Sequence, residues 1–450
     1  MQEEQLDLGI AGWSWLIACA ALVGLFIGAL GTAFRVCLRL GDHARDGLVA
    51  FAHDLPLGWM LVCGALGVAA GIAAWLVRRY APLASGSGIP HVVAVLLGEM
   101  SPAPASVIPV KFLGGLLAIG GGLALGREGP TVQMGATFGS LLAARVRPVR
   151  DQWPALLAAG AGAGLATAFN APLGGMLFVF EEILRRFETR TVLATATACI
   201  AAVAVERAFL GAEHDFVVAA LAPASISSLG LYLVMGIVAG GLGALYNRGI
   251  VGFLRVAERV ARWPAGATGI CVGAAVGVLA WLLPNVVGGG DDLTQQILAG
   301  RAAITALPLI FGIRFVLGPL SYAAGTPGGL FAPLLVLGAQ IGFGCGVLGQ
   351  HWFPEAVPST VAFAIAGMAA FFTATVRSKL TGILLVSEMT GSFSLALPML
   401  VASTGAYAVS VLLRNAPIYD TLRERQVARA RLSEEAASTA RRATSLGIDR

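Results

Sequence analysis

Apolar runs recur along almost the whole chain, at roughly 13–38, 56–77, 108–125, 153–180, 191–211, 229–253, 266–285, 302–320, 327–349, 360–376 and 380–413. A helix needs ~20 such residues to cross a bilayer. With 57% hydrophobic residues, 12% charged residues and a mean hydropathy of +0.80, the chain is far from the ~25% charged content of a soluble domain. The expected fold is therefore an all-α integral membrane protein. Several runs are cut by Gly or Pro, and some are too short or too long for one span. Roughly ten to eighteen helices follow, many of them tilted, re-entrant or broken. The 59 glycines are spread along the chain, which suits close helix packing rather than a flexible linker.

The net charge of +5 does not indicate nucleic acid. The arginines cluster at the ends of apolar runs (Arg78 and Arg79; Arg145, Arg147 and Arg150; Arg185, Arg186 and Arg190), and no aromatic-interleaved basic patch accompanies them. The six cysteines are scattered without CxxC spacing, and the five histidines are dispersed, so neither a disulfide framework nor a metal site is expected. Met1 to Asp7 are acidic and polar, unlike the start of a cleavable signal peptide. The first apolar run is expected to remain as a helix with its N-terminus in the cytoplasm.

An internal repeat is visible. Pro130, Gly135, Ala136 and Gly139 recur 203 residues later as Pro333, Gly338, Ala339 and Gly342. At an offset of 207, Gly160, Ala163, Leu173, Gly175, Leu177, Val179 and Glu181 recur as Gly367, Ala370, Leu380, Gly382, Leu384, Val386 and Glu388. Two membrane halves are expected, residues 1–215 and 216–420, joined through the polar stretch Glu213 to Ser228. Residues 421–450 form a charged tail with helical spacing, read as a solvated or membrane-surface cytoplasmic helix. Repeated halves with interrupted helices at matching positions are typical of secondary transporters, which bind substrate where the repeats meet.

Within this apolar sequence stands Gly126-Arg127-Glu128-Gly129-Pro130. An Arg and a Glu at membrane depth cost about 2.5–3.5 kcal/mol each on insertion scales, so such residues are usually functional. Gly120, Gly121 and Gly122 precede the pair, and a Pro suited to the first turn of a helix follows it. A helix starting in mid-membrane presents free N–H groups and a positive dipole end, which together make an anion site. Glu128 in that place competes with the anion or carries a proton. Gly86-Ser87-Gly88-Ile89-Pro90 and Gly328-Gly329-Leu330-Phe331-Ala332-Pro333 have the same shape of helix start. The other readings are an ordinary N-cap at Ser87 and a transmembrane kink at Gly328. Tyr419, after Asn415-Ala416-Pro417-Ile418, reads either as a ligand donor or as an interfacial anchor.

These segments, in this order, resemble the CLC family of chloride channels and chloride/proton antiporters. The family's GSGIP, GREGP and GxFxP motifs stand unaltered at 86–90, 126–130 and 329–333, and Lys111 and Asn170-Ala171-Pro172-Leu173 also fit. The resemblance covers about residues 10–420. It implies an inverted repeat and a homodimer with one pathway per subunit. The transported substrates would be chloride and protons, with no cofactor. Ser87 and Tyr419 would donate hydroxyl hydrogen bonds to a central chloride, with backbone N–H groups of Gly88, Ile89, Leu330 and Phe331 around it. Arg127 and Gly129 would offer N–H groups to an outer anion position. Glu128 would be the external gate and proton acceptor, and Glu182 the internal proton relay.

Glu182 discriminates antiporter from channel, because family channels carry an apolar residue there. Spacing alone allows a surface salt bridge instead, with Glu182 three and four residues before Arg185 and Arg186. Chloride/proton antiport is the expected function. A passive voltage- or pH-gated chloride channel and an exchanger for nitrate or fluoride are the alternatives. Ser87 departs from nitrate specialists, and Ser87 with Tyr419 departs from the fluoride branch. An intramembrane enzyme is disfavoured, since no HExxH, GxSxG or Cys/His cluster is present. One departure from the family is that His91 and Val93 stand where many bacterial relatives carry acids. Lys111 would then lack a carboxylate and have to find carbonyls or water, and His91 is expected at a solvated interface. The expected location is a bacterial inner membrane with both termini cytoplasmic.

Overall fold

The computed structural model describes residues 10–219, 221, 224–260 and 263–445. Met1 to Asp7, on which the absence of a signal peptide rests, lie outside the described residues. Among the described residues the chain is helical, within the expected range of helix number: α1 (Ile10–His53), α2 (Gly58–Tyr80), α3 (Ile89–Leu96), α4 (Val107–Ile119), α5 (Glu128–Arg145), α6 (Trp153–Phe169), α7 (Pro172–Phe178), α8 (Thr189–Leu210), α9 (Leu229–Arg259), α10 (Ala267–Leu282), α11 (Asp291–Leu298), α12 (Leu307–Tyr322), α13 (Phe331–Trp352), α14 (Thr360–Val376), α15 (Lys379–Thr390), α16 (Ala396–Leu412) and α17 (Ile418–Ser445). Six stretches are long and apolar enough to cross a membrane, and α4, α10, α12 and α14 are shorter apolar helices. The chain is an integral membrane protein.

The breaks have local causes. The run at 153–180 divides at Asn170, whose left-handed backbone (φ 49°) ends α6 and lets Pro172 open α7. The run at 380–413 divides at Gly391 (φ 65°), between α15 and α16. Asn and Gly are the residues that tolerate this conformation.

Packing rests on small residues and recurs in matching pairs. A Cβ at Gly135 would stand 2.0 Å from the Gly160 carbonyl oxygen, so α5 and α6 touch backbone to backbone. The corresponding contact of α13 with α14 places a Gly338 Cβ 2.5 Å from the Gly367 carbonyl oxygen. Helix α1 meets α8 through Gly24 against Ala198, and α9 meets α16 through Gly236 against Ala402.

The same correspondence sets the acids that recur in the sequence. Glu388 accepts the Leu173 and Gly174 N–H groups at 3.2 and 2.6 Å, at the start of α7. Glu181 accepts the Leu380 and Thr381 N–H groups at 3.1 and 2.6 Å, at the start of α15. Each acid thus caps the short helix that carries its counterpart, satisfying donors that the helix itself leaves open.

Candidate functional site

The three Gly-rich segments meet in the interior. Gly86 N–H donates to the Thr326 carbonyl at 2.9 Å, and Gly328 N–H donates back to Gly86 at 3.1 Å. Gly126 and Gly329 exchange both backbone hydrogen bonds, at 2.8 and 2.7 Å. Non-helical backbone at membrane depth is tolerated only when its polar groups are paired in this way. From this knot α3, α5 and α13 start, with no side-chain cap on α5 or α13 and only the Ser87 Oγ on the first N–H group of α3. Their first-turn N–H groups and dipole ends therefore converge on one buried region.

Glu128, the first residue of α5, is 1% exposed. Its Oε2 is buried without a hydrogen-bond partner. A Cβ at Gly329 would lie 3.3 Å from that oxygen and 2.9 Å from the Gly129 nitrogen, so the carboxyl sits between the starts of α5 and α13. Gly129 in turn abuts Ser87, at 2.7 Å from its carbonyl oxygen to where a Cβ would stand. Ser87 is fully buried and is not the N-cap, a place taken by Gly88 with φ 84°. The Ser87 Oγ accepts the Ile89 N–H at 3.2 Å, which engages that donor and leaves the hydroxyl proton to be given elsewhere. Leu330 and Phe331, the N-cap and first residue of α13, are fully buried.

Tyr419 is 1% exposed, which removes the anchor reading. Its ring lies 6.2 Å from that of Phe331, which also packs on Phe169, Phe178 and Phe372. The Tyr419 hydroxyl is buried, with the Ser87 hydroxyl as its polar neighbour. Tyr322, Glu182 and Glu128 lie within electrostatic reach of it.

Arg127 faces a cavity of about 270 Å³ lined also by Arg35, Glu128, Asp215 and Asp291. Its Nε donates to the Ala168 carbonyl at 2.9 Å, and its two Nη atoms bond Asp291 and Asp215, both at 3.1 Å. Asp215 also pairs with Arg35, which bonds Glu206 at 2.5 Å. The guanidinium is thus held sideways, and residues 127–129 offer backbone rather than a bare charge. A full charge directly on a permeating ion would trap it.

Glu182 lies in a π-helical turn, Val179–Ile183, that follows α7. The extra residue of a π-turn lets the adjacent Glu181 and Glu182 take different partners. Glu182 is 3% exposed and accepts from Ser378 Oγ at 2.5 Å, while its Oε1 has no hydrogen-bond partner. Arg185 is 3.9 Å from Glu182, but bonds Asp420 through one nitrogen, at 2.9 Å to each oxygen. The acid is therefore buried, and the half-exposed Arg185 pairs loosely with it while bonding Asp420 closely.

Lys111 is fully buried and donates to the Gly86 carbonyl at 2.6 Å, the carbonyl partner expected when no acid stands at 91 or 93. His91 is not at a solvated interface. It is 2% exposed, because α3 buries Val92, Val93 and Val95 as well. Sequence reasoning missed Tyr322, whose hydroxyl faces the Ser87 N–H at 3.4 Å, and Ser378, Asp215 and Asp291. Only Ser378 carried a signal, as a Ser just before a helix start; the others are tertiary partners with no local pattern.

The family model for voltage-gated chloride channels matches residues 67–411. The chain is 38% identical over 436 residues to the H(+)/Cl(-) exchange transporter ClcA of Cronobacter sakazakii, covering 95% of this chain and 93% of the relative. It is 38% identical over 423 residues to ClcA of Vibrio cholerae, covering 92% and 90%. Its fold resembles the crystal structure of a slow cyanobacterial Cl-/H+ antiporter with a TM-score of 0.86, at 33% identity, over 92% of this chain and 98% of the other. A eukaryotic CLC transporter shares the fold at 24% identity and TM-score 0.77, over 91% of this chain and 73% of that one. With the motifs in place and the match spanning most of the chain, this protein belongs to the voltage-gated chloride channel family, the CLC family.

Proposed function

We propose that the chain is a secondary active transporter that exchanges chloride for protons through a path gated by Glu128. The observation that carries this is a pair of buried carboxylates, Glu128 and Glu182, each with one oxygen that has no hydrogen-bond partner among the described residues. Chloride would be held by the Ser87 and Tyr419 hydroxyls and by backbone N–H groups of Gly88, Leu330 and Phe331, while the Ile89 N–H, expected from the sequence as a further anion donor, is given to the Ser87 Oγ. An anion in a dry site needs several such donors to replace its hydration. Ionised Glu128 occupies the anion position between α5 and α13, beside the N–H groups of Arg127 and Gly129. Protonated, it loses its attraction to the helix dipoles and yields the seat to chloride. Glu182, buried with one oxygen bare, passes the proton to the cytoplasmic side. The ClcA relatives and the cyanobacterial structure carry names of the same exchange. The exchange moves ions and converts no substrate chemically.

The chain is read as two repeat halves, 1–215 and 216–420, inverted relative to one another, with 421–450 as a cytoplasmic tail. Its setting would be a bacterial inner membrane, as a homodimer with one pathway per subunit and both termini in the cytoplasm. The matching α5–α6 and α13–α14 contacts and the reciprocal Glu181 and Glu388 caps support the two halves.

The test uses purified protein in sealed liposomes, with a chloride gradient, no pH gradient and the voltage clamped near zero. Protons driven uphill by chloride are expected, with Glu128→Gln abolishing coupling and Glu182→Gln stopping protons while chloride continues. Chloride flux without proton movement in the unaltered protein would make it a channel. Preference for nitrate or fluoride in the same assay would move it to another anion.

A further inference from the structure

The chain leaves the π-turn through Arg185, whose backbone is left-handed at φ 54°. Side chains with a Cβ seldom adopt this conformation, and it persists where tertiary contacts hold it. The contact here is shared. Arg185 Nη2 donates to both Asp420 oxygens at 2.9 Å and lies 3.9 Å from Glu182 Oε1, the oxygen without a hydrogen-bond partner. The other Glu182 oxygen is taken by Ser378. Asp420 follows Tyr419 directly, in the first turn of α17. One guanidinium nitrogen therefore faces the acid of the proton path on one side. On the other it faces the turn that carries the buried tyrosine.

We infer that Arg185 and Asp420 are positioning residues that transmit the protonation state of Glu182 to Tyr419. This rests on the roles proposed above for Glu182 and Tyr419. With Glu182 charged, Arg185 is shared between two carboxylates and its hold on Asp420 loosens. With Glu182 protonated, Asp420 receives the whole attraction and the turn bearing Tyr419 is drawn in. The charged groups facing Glu182 are Glu181 and Arg185 from its own segment and Asp420 from α17, with Ser378 of α15 and Tyr419 as polar neighbours. Glu181 is spent on Leu380 and Thr381, so Arg185 is the cation through which a change on Glu182 acts. The Arg185 side chain is half exposed, so water and salt screen the link. A surface tie without this function would alter stability alone.

The test uses the full chain, in liposomes and in detergent. Arg185→Lys, Arg185→Gln and Asp420→Asn are compared with Glu182→Gln. The readouts are protons moved per chloride and chloride affinity by calorimetry at neutral and acidic pH. The part of the pH response lost in Glu182→Gln belongs to Glu182, and the part that survives belongs to Glu128. Asp420→Asn and Arg185→Gln are expected to shrink the Glu182 part and to lower the proton-to-chloride ratio by roughly two- to fivefold, the scale of a screened pair. Arg185→Lys should retain some of both. If Arg185→Gln does not fold, Asp420→Asn carries the same test. Pair variants with an unaltered ratio and pH response, alongside a Glu182→Gln that no longer moves protons, overturn the link and leave the relay standing. A Glu182→Gln that still moves protons overturns the relay and the link with it.

Discussion

Gly126→Ala tests the seat of Glu128 without touching its carboxyl chemistry. The three nearest atoms to a Cβ at this position all belong to the Glu128 carboxyl, with Oε2 at 1.9 Å. Ordinary contact begins near 3.4 Å, so the carboxyl must retreat by about 1.5 Å. The backbone pairing of Gly126 with Gly329 does not involve that Cβ and remains. The retreat takes a carboxylate away from the starts of α5 and α13, an interaction worth about 1–2 kcal/mol in partly buried geometry. Chloride competing for the seat gains the same amount, so its apparent affinity should rise roughly 5- to 30-fold. Calorimetric chloride titration reads this directly, and the liposome assay should show fewer protons per chloride. In Glu128→Gln the seat is already empty, so adding Gly126→Ala should change chloride affinity little. Equal affinity and coupling in Gly126→Ala and the unaltered protein would refute the competition. So would fully additive effects in the double variant.

Tyr419→Phe keeps the stacking on Phe331 and removes only the hydroxyl. Chloride binding should weaken by about 1.5–3 kcal/mol, the worth of a hydrogen bond to a charged group, while thermal stability in chloride-free buffer holds or rises. Unchanged chloride titration would remove the hydroxyl from the site. Lys111→Met replaces a buried amine that makes no ion pair with a carboxylate among the described residues by an apolar chain of similar length. Because the desolvation cost goes with it, the detergent-phase melting temperature should hold or rise. A fall equivalent to ~3 kcal/mol would mean that the ammonium holds the Gly86–Ser87 loop in place. Glu388→Gln should lower stability by about 1–2 kcal/mol by turning a charged cap of α7 into a neutral one, with chloride affinity little changed. Glu181→Gln should do the same at α15, and calorimetry with melting curves separates stability from binding.

The helix starts were legible because their signals are local. Gly before and Pro after a break fix where α3, α5 and α13 begin, whatever packs around them. Tyr419 was ambiguous because an interfacial anchor and a buried donor look alike in sequence; it is buried by the packing of α17 on α3 and α14, with its ring near Phe331. The spacing of Glu182 and Arg185 allows a salt bridge on a regular helix. The π-turn and the left-handed Arg185 leave that pair at 3.9 Å, and the arginine gives its short hydrogen bonds to Asp420, 235 residues away. His91 read as solvated from its type, although its neighbours on α3 are valines and the helix has no polar face. Asp215 and Asp291 carried no pattern at all, since their partners, Arg127 for both and Arg35 for Asp215, are distant in sequence.

The repeat itself separates structure from chemistry. At an offset of 207 Glu181 matches Glu388, and both acids cap the opposite short helix. The next position breaks the match, with Glu182 in the first half and Met389 in the second. At the offset of 203 Gly126 and Pro130 match Gly329 and Pro333, whereas Gly129 stands opposite Ala332 and Glu128 opposite Phe331. Positions needed for packing recur because both halves must pack. The two acids to which the proposed function assigns a proton appear once, since a second buried acid would cost several kcal/mol and have no donors waiting for it. Phe331 fills the place of the missing acid with the ring on which Tyr419 rests, and its N–H group still faces the interior. In that reading the first half supplies the acids, and the second supplies Phe331, Tyr419 and part of the backbone donors. A pathway built this way needs both halves in contact, which is what the paired Gly126 and Gly329 backbones and the reciprocal glutamate caps secure.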